Sequence, residues 1–172
     1  VLFRSGGAKM SKSRGNVVDP VEQFQSHGAD ALRLYHLFMG PPTDDAVWND
    51  AGIDGTRRFL ERVWKLGTGD HDFSDREPVE RDHEIIGLAH RTVRKVTEDI
   101  EGFRFNTAVP ALMILANELG DYVGDSPRRE AFDEAFDRLL LLMAPMAPHI
   151  AHELWHLRGH GEMLAMEAWP TW

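Results

Sequence analysis

The sequence predicts an all-α protein: a helix bundle preceded by an irregular loop. Three observations lead there. Apolar residues recur three and four positions apart through most of the chain, no stretch alternates apolar and polar residues convincingly, and glycine and proline mostly fall between the periodic stretches. The segment up to about Asp19 is glycine-bearing, polar and aperiodic, and reads as a loop. Asp19-Pro20 then supplies an N-cap and a first-turn proline for a short helix reaching His27-Gly28. Asp30 to Met39 is dense in Leu32, Leu34, Tyr35, Leu37 and Phe38 and predicts a buried helix that Gly40-Pro41-Pro42 stops. From about Ala51 to Leu66, Phe59, Leu60, Val63 and Trp64 form one apolar face.

The stretch GTGDHDFSDREP is a loop by composition. Periodicity resumes in Ile85, Ile86, Ala89, Val93, Val96, Ile100 and Phe103, a stripe at helical spacing. Asn106 is the expected N-cap of the next helix, with Pro110 in its first turn and Val109, Leu112, Met113, Ala116 and Leu119 facing inward. Ser126-Pro127 is expected to cap another helix, which buries Phe132, Phe136, Leu139, Leu140 and Met143 and ends at Pro145. A last helix from about Pro148 to Leu157 turns Ile150, Leu154 and Leu157 to the core. Amphipathic helices joined by short connections bury their stripes against one another, which is a bundle.

Composition narrows the function. A chain of 172 residues with 42% hydrophobic and 27% charged residues suits one soluble globular domain. No apolar run approaches eighteen residues, so no membrane span is expected, and VLFRSGG has no signal-peptide core. The absence of Cys excludes disulfides and thiolate metal sites. A net charge of −9 argues against wholesale attraction to nucleic acid while leaving room for a local basic stripe.

Two short stretches make competing chemical claims. HELWHLRGHGE contains H-E-x-x-H, so His152 and His156 could share one metal on a helical face with Glu153 as general base, and His160 or Glu162 as third ligand. Against a zinc protease stand the nine His of the chain, which make a chance match easy, and the lack of a strand to hold an extended peptide. The plainer reading makes His152, Glu153 and His156 the solvated side of an amphipathic helix.

The second stretch is Lys9-Met10-Ser11-Lys12-Ser13, followed by GNVVDP. Two lysines on a glycine-flanked loop can close over a polyphosphate and neutralise charge that develops on the β and γ phosphates, with Ser11 and Ser13 offering hydroxyl or backbone donors. Taken alone, the same loop reads rather as a surface loop with two solvated lysines. Its surroundings favour the first reading. KMSKS with GNVVDP resembles the signature loop of class I aminoacyl-tRNA synthetases. GADALRLYHLFMGPP, VWNDAGIDGTRRFLERVWKL, KVTEDIEGFRFNTAVPALMILANEL, LLLMAPMAPHIAHELW and AWP then continue, in order, a resemblance to the leucyl-tRNA synthetase family from about Ala8 to Pro170. The GPP turn and the FRFNTA helix entry favour the leucine family over its valine and isoleucine relatives, which remain the alternative.

The resemblance implies ATP-dependent activation of leucine and its transfer to tRNA(Leu). It assigns residues 1–50 to the end of a catalytic domain with its KMSKS loop and connector helices, and residues 51–172 to a helical anticodon-binding-type bundle. Lys9 and Lys12 are the implied catalytic residues, and Met10, Ser11 and Ser13 complete the implied ATP-binding loop. Mg2+ would accompany ATP, with no metal held by this segment. The HIGH-type motif, the leucine pocket and an editing domain are not in this sequence, so it is expected to be a piece that is inactive alone, from a monomeric cytoplasmic enzyme. Candidate tRNA contacts are Arg57, Arg58, Arg62 and Lys65 on one helix and Arg91, Arg94 and Lys95 on the next. Cations spaced three and four apart can follow phosphates. The alternative for each is a solvated helix face on which acids such as Glu61 pair with it.

Overall fold

The computed structural model describes residues 3–172; Val1 and Leu2 of the opening VLFRS lie outside them. Seven α-helices among the described residues carry the fold: α1 (Pro20–His27), α2 (Ala29–Phe38), α3 (Asp50–Thr68), α4 (Glu80–Glu101), α5 (Phe105–Tyr122), α6 (Arg129–Met143) and α7 (Pro148–Leu157). The all-α bundle expected from periodicity is the architecture found. Helix α5 lies at its centre, against α2, α3, α4 and α6. Its sequence explains the position, because FNTAVPALMILAN has no charged residue and can bury more than one face. Leu112, Leu115 and Leu119 of α5 are fully buried with Leu34, Val63, Val93, Phe136 and Leu139 from its neighbours. Each such large side chain contributes roughly 1.5–3 kcal/mol on burial.

The expectation of no strands needs correction. Strand β1 (Phe3–Ser5) pairs antiparallel with β2 (Ala8–Lys9) and parallel with β3 (Ala46–Val47). Gly6 and Gly7 form the two-residue hairpin turn with φ of +56° and +79°, a conformation that needs two left-handed residues. The strands span only two or three residues each, too few for alternation to register, and β3 comes from far along the chain.

Asp19 caps α1 as expected, its carboxylate accepting from Val21 N–H at 2.9 Å. Other boundaries move. Helix α5 begins at Phe105, so Asn106 lies inside it and caps nothing, and Pro110 is its sixth residue, beyond the first turn. Helix α6 starts at Arg129 rather than at the Ser126-Pro127 pair; Ser126 takes a left-handed φ of +48° in the preceding turn. Phe103, assigned to the core stripe of α4, falls after that helix has ended and is 67% exposed. Trp64 is 40% and Leu157 53% exposed, so neither belongs to the core.

Polar latches fix the connections. Asp82 at the start of α4 is buried and takes both guanidinium arms of Arg76, at 2.5 and 2.9 Å, the Tyr122 hydroxyl at 2.5 Å and the Val79 N–H at 2.7 Å. The Arg76 guanidinium, outweighing burial, holds the Asp82 carboxyl well below the usual carboxylate range, with help from Tyr122 and Val79. Burial, reinforced by Asp82, pushes the Tyr122 hydroxyl up to about 12, so it remains a donor. On the far side, Asp30 of α2 accepts from the Ile150 N–H and from His149 Nδ1, both at 2.8 Å, and so satisfies the start of α7. Arg33 donates to Pro145 and Met146 carbonyls at 3.0 and 3.1 Å, so α2 clasps the turn between α6 and α7.

Candidate phosphate loop and nucleic-acid interface

The KMSKS segment begins on the outer strand of the hairpin and turns back at once. Lys12–Arg14 form a single 3-10 turn closed by Gly15, whose φ of +66° is left-handed. The Asn16 side chain ties the two limbs together, accepting from Ser11 N–H at 2.9 Å and donating to the Lys9 carbonyl at 3.2 Å. Met10 N–H donates to the Phe3 carbonyl at 2.9 Å, joining the loop to the sheet. The backbone is therefore braced while the lysine side chains stay free. Lys9 and Lys12 are exposed, and their ammonium groups have no hydrogen-bond or ion-pair partner among the described residues.

A cavity of about 510 Å3 opens beneath the loop. Lys9, Met10, Ser11 and Lys12 line its rim, over an apolar floor that includes Val18, Leu32 and Trp48. Ser13 is not among the lining residues; its hydroxyl lies 3.2 Å from that of Ser11. The Ser11 backbone N–H, a candidate phosphate donor, is already spent on Asn16, leaving its hydroxyl. Asn16 is thus a residue the sequence reading overlooked, and its asparagine five positions after Ser11 was the available signal. Among the described residues no carboxylate lines the cavity; the ammonium groups of Lys9 and Lys12 and the Ser11 hydroxyl suit phosphate oxygens, and Gln23 and His36 complete its polar lining.

The bundle separates the candidate RNA contacts into two kinds. Arg57 pairs with Glu61 at 3.4 Å, Arg94 with Glu98 at 2.8 Å, Lys95 with Asp99, and Arg62 bonds the Asn117 amide oxygen on α5. Arg58, Lys65 and Arg91 are exposed without such partners among the described residues. Since Arg62 of α3 and Arg81 of α4 reach neighbouring residues of α5, Asn117 and Glu118, α3 and α4 flank one exposed face of that helix. The interspersed exposed pairs leave several arginines accessible, since such pairs break at little cost.

At the other motif, His152 has both ring nitrogens engaged: Nδ1 donates to the Pro148 carbonyl at 3.2 Å, and Nε2 accepts from Ala165 N–H at 3.3 Å. His160 stacks on Trp155 with centroids 3.6 Å apart and faces Asp137 at 3.3 Å. Among the described residues no three His, Asp or Glu side chains converge as a metal site.

A braced loop with two unpartnered ammonium groups, on an all-α bundle with exposed cations on α3 and α4, has the chemistry suited to phosphate-bearing ligands. Comparison with known proteins agrees. Residues 82–172 match the family model "Anticodon-binding domain of tRNA ligase", and residues 1–49 match "tRNA synthetases class I (I, L, M and V)". The chain belongs to the anticodon-binding-domain family of tRNA ligases, and within it the likeness is to the leucine enzymes. It is 43% identical to a leucine–tRNA ligase of Thermotoga petrophila across 99% of this chain and 23% of that protein. Another leucine–tRNA ligase, from Syntrophobacter fumaroxidans, is also 43% identical across 96% of this chain and 22% of that protein. A crystal structure of the ternary complex of Agrobacterium radiobacter K84 agnB2 LeuRS-tRNA-LeuAMS superposes with a TM-score of 0.87 at 36% identity, across 99% of this chain and 24% of that one. The chain thus spans about a quarter of the length of these relatives. No helix among the described residues is long and apolar enough to cross a membrane.

Proposed function

We propose that this chain supplies two parts of a leucine–tRNA ligase: the loop that closes over ATP phosphates and the bundle that holds tRNA(Leu). The observation that carries the proposal is the pairing of a rigid backbone with two free ammonium groups at the cavity rim. Leucine activation expels pyrophosphate as leucine attacks the α phosphate, and negative charge gathers on the leaving oxygens. Lys12, and Lys9 beside it, would neutralise that charge as it develops, while the Ser11 hydroxyl donates to the same oxygens and Met10 and Ser13 shape the loop. Bracing by Asn16 limits the reorganisation that this requires. Mg2+ would arrive with ATP.

The functional division falls near residue 50, with residues 1–50 serving nucleotide chemistry and residues 51–172 serving RNA. Packing across that division, through Asp30 and Arg33, would transmit the position of one part to the other. Arg58, Lys65 and Arg91 are the first candidates for phosphate contact, followed by Arg57, Arg62, Arg94 and Lys95, whose pairs must open. Two measurements on the 172-residue chain test the reading. It should bind tRNA with an affinity that falls steeply with salt, and it should show no leucine-dependent ATP–pyrophosphate exchange, because it spans only about a quarter of the length of the ligases it resembles. Absence of tRNA binding at low salt rejects the RNA role, and measurable exchange rejects the division of labour.

A further inference from the structure

The turn between α4 and α5 holds an aromatic ring in an unfavourable setting. Phe103 adopts φ of +54°, in the left-handed region that disfavours a side chain, and its ring is 67% exposed. The turn is nonetheless firmly built. Phe103 N–H donates to the Ile100 carbonyl at 3.0 Å, and Arg104 N–H to the Asp99 carbonyl at 2.7 Å. Beneath it Asp99, 1% exposed, receives Lys95, the Arg104 Nε at 3.1 Å and the Thr107 hydroxyl at 2.7 Å. Burial opposes ionisation of Asp99, yet these donors hold its carboxyl below the ordinary value. Phe105 props one edge of the Phe103 ring, edge-to-face at 6.0 Å. The backbone of the turn is therefore braced, and the ring meets Phe105 on one edge while most of it stays open.

Lys95 and Thr107, which anchor this turn through Asp99, also line a shallow groove of about 270 Å3 between α4 and α5. The groove continues past Arg91 over Pro110 and Ala111 to Ile114, which is itself 55% exposed. Its charge is positive: Lys95 and Arg104 share the single carboxylate of Asp99, and Arg91 has no partner among the described residues. Arg94 and Glu98 cancel on the adjoining face, and Glu101 is a further exposed acid at the turn. On a chain of net charge −9 this is a local excess of cations around an apolar strip.

We infer that this groove and the Phe103 turn joined to it through Asp99 bind an unpaired nucleotide of the RNA, with its base stacked on Phe103 and its flanking phosphates on Arg104, Lys95 and Arg91. The inference rests on the tRNA-binding reading above and names its contact chemistry. Phosphates answer the uncompensated cations, which an apolar protein surface would leave desolvated, and any base has a flat face for the ring.

The test measures binding of the 172-residue chain to a tRNA(Leu) transcript and to a fully paired RNA duplex across a salt series. Phe103→Ala should weaken tRNA binding by about 5- to 150-fold, the range of one lost base stack. It should leave the slope of log K against log salt unchanged, and duplex binding within about twofold. Phe103→Trp should bind tRNA like the parent, whereas Phe103→Leu should behave like the alanine variant. Phe103→Gly, which relieves the left-handed strain, should melt no lower than the parent while losing the same affinity, which separates stacking from folding. If the parent binds tRNA with a salt slope and Phe103→Ala binds equally well, stacking is overturned and the phosphate role stands. Full recovery by Phe103→Leu, or equal loss on the duplex, also overturns stacking. If the parent binds no tRNA, the broader reading has failed first.

Discussion

Replacing Asp82 by Asn strikes the latch that closes the bundle at the start of α4. The carboxylate accepts four hydrogen bonds, two of them from Arg76, and is 2% exposed. Asparagine has one acceptor oxygen and turns an N–H2 toward groups that are themselves donors. Charge-assisted bonds contribute about 1.5–3 kcal/mol each, but the Arg76 side chain is 26% exposed and water would replace part of what it loses. A net cost of about 3 kcal/mol at pH 7 follows, a large share of the 5–15 kcal/mol that holds a typical domain. The pH dependence is more diagnostic. The folded carboxyl lies well below its ordinary value, so its contribution is fully present above the unfolded value of about 3.9 and is lost as pH falls toward the folded one. Between pH 7 and pH 3 the parent should lose about 1 kcal/mol through this group, and Asp82→Asn should lose none of that portion. Urea unfolding followed by circular dichroism at the two pH values measures both quantities. A gap under 0.5 kcal/mol at pH 7, or a gap of the same size at pH 3, would refute the reasoning.

Other consequences are open to direct measurement. Alanine at Arg58, Lys65 or Arg91 should each lower the slope of log K for tRNA against log salt by roughly 0.7–0.9 if the residue makes the proposed phosphate contact; an unchanged slope removes that residue from the interface. Pro110→Ala should raise the melting temperature, because it restores a hydrogen bond to the Asn106 carbonyl inside α5, worth on the order of 1 kcal/mol or more. A lower melting temperature would mean that the proline ring packs better than it blocks. Zinc should neither co-purify in stoichiometric amount nor raise the melting temperature, since both nitrogens of His152 are engaged; stabilisation that is lost in His152→Ala would contradict this.

The helices were legible because their stripes repeat within each element. Asp19 capping α1, the GPP stop after α2 and the buried faces of α3, α4 and α6 all follow from local spacing. What sequence reading missed depends on distant partners or on very short elements. The hairpin is written in Gly6-Gly7, but its strands are shorter than one period of evidence for a sheet, and β3 joins from residue 46. Asn106 has a capping residue's chemistry, yet Arg104, bonded through its N–H to the Asp99 carbonyl, takes the cap position and the helix starts two residues earlier. Among the basic candidates, the local pairs Arg57–Glu61, Arg94–Glu98 and Lys95–Asp99 were readable from a spacing of four. That Arg62 reaches Asn117 on α5 was not. Phe103 continues the spacing of its stripe and reads as core, whereas Gly102 ends the helix before it and turns the ring outward.

The account depends most on Lys12 acting as charge develops on pyrophosphate. The direct measurement is leucine-dependent ATP–pyrophosphate exchange in a leucine–tRNA ligase that contains this chain, comparing the parent with Lys12→Ala. The account predicts a fall in kcat of about 100-fold or more, with the KM for leucine within about threefold. An unchanged kcat, or a loss confined to KM, would contradict it.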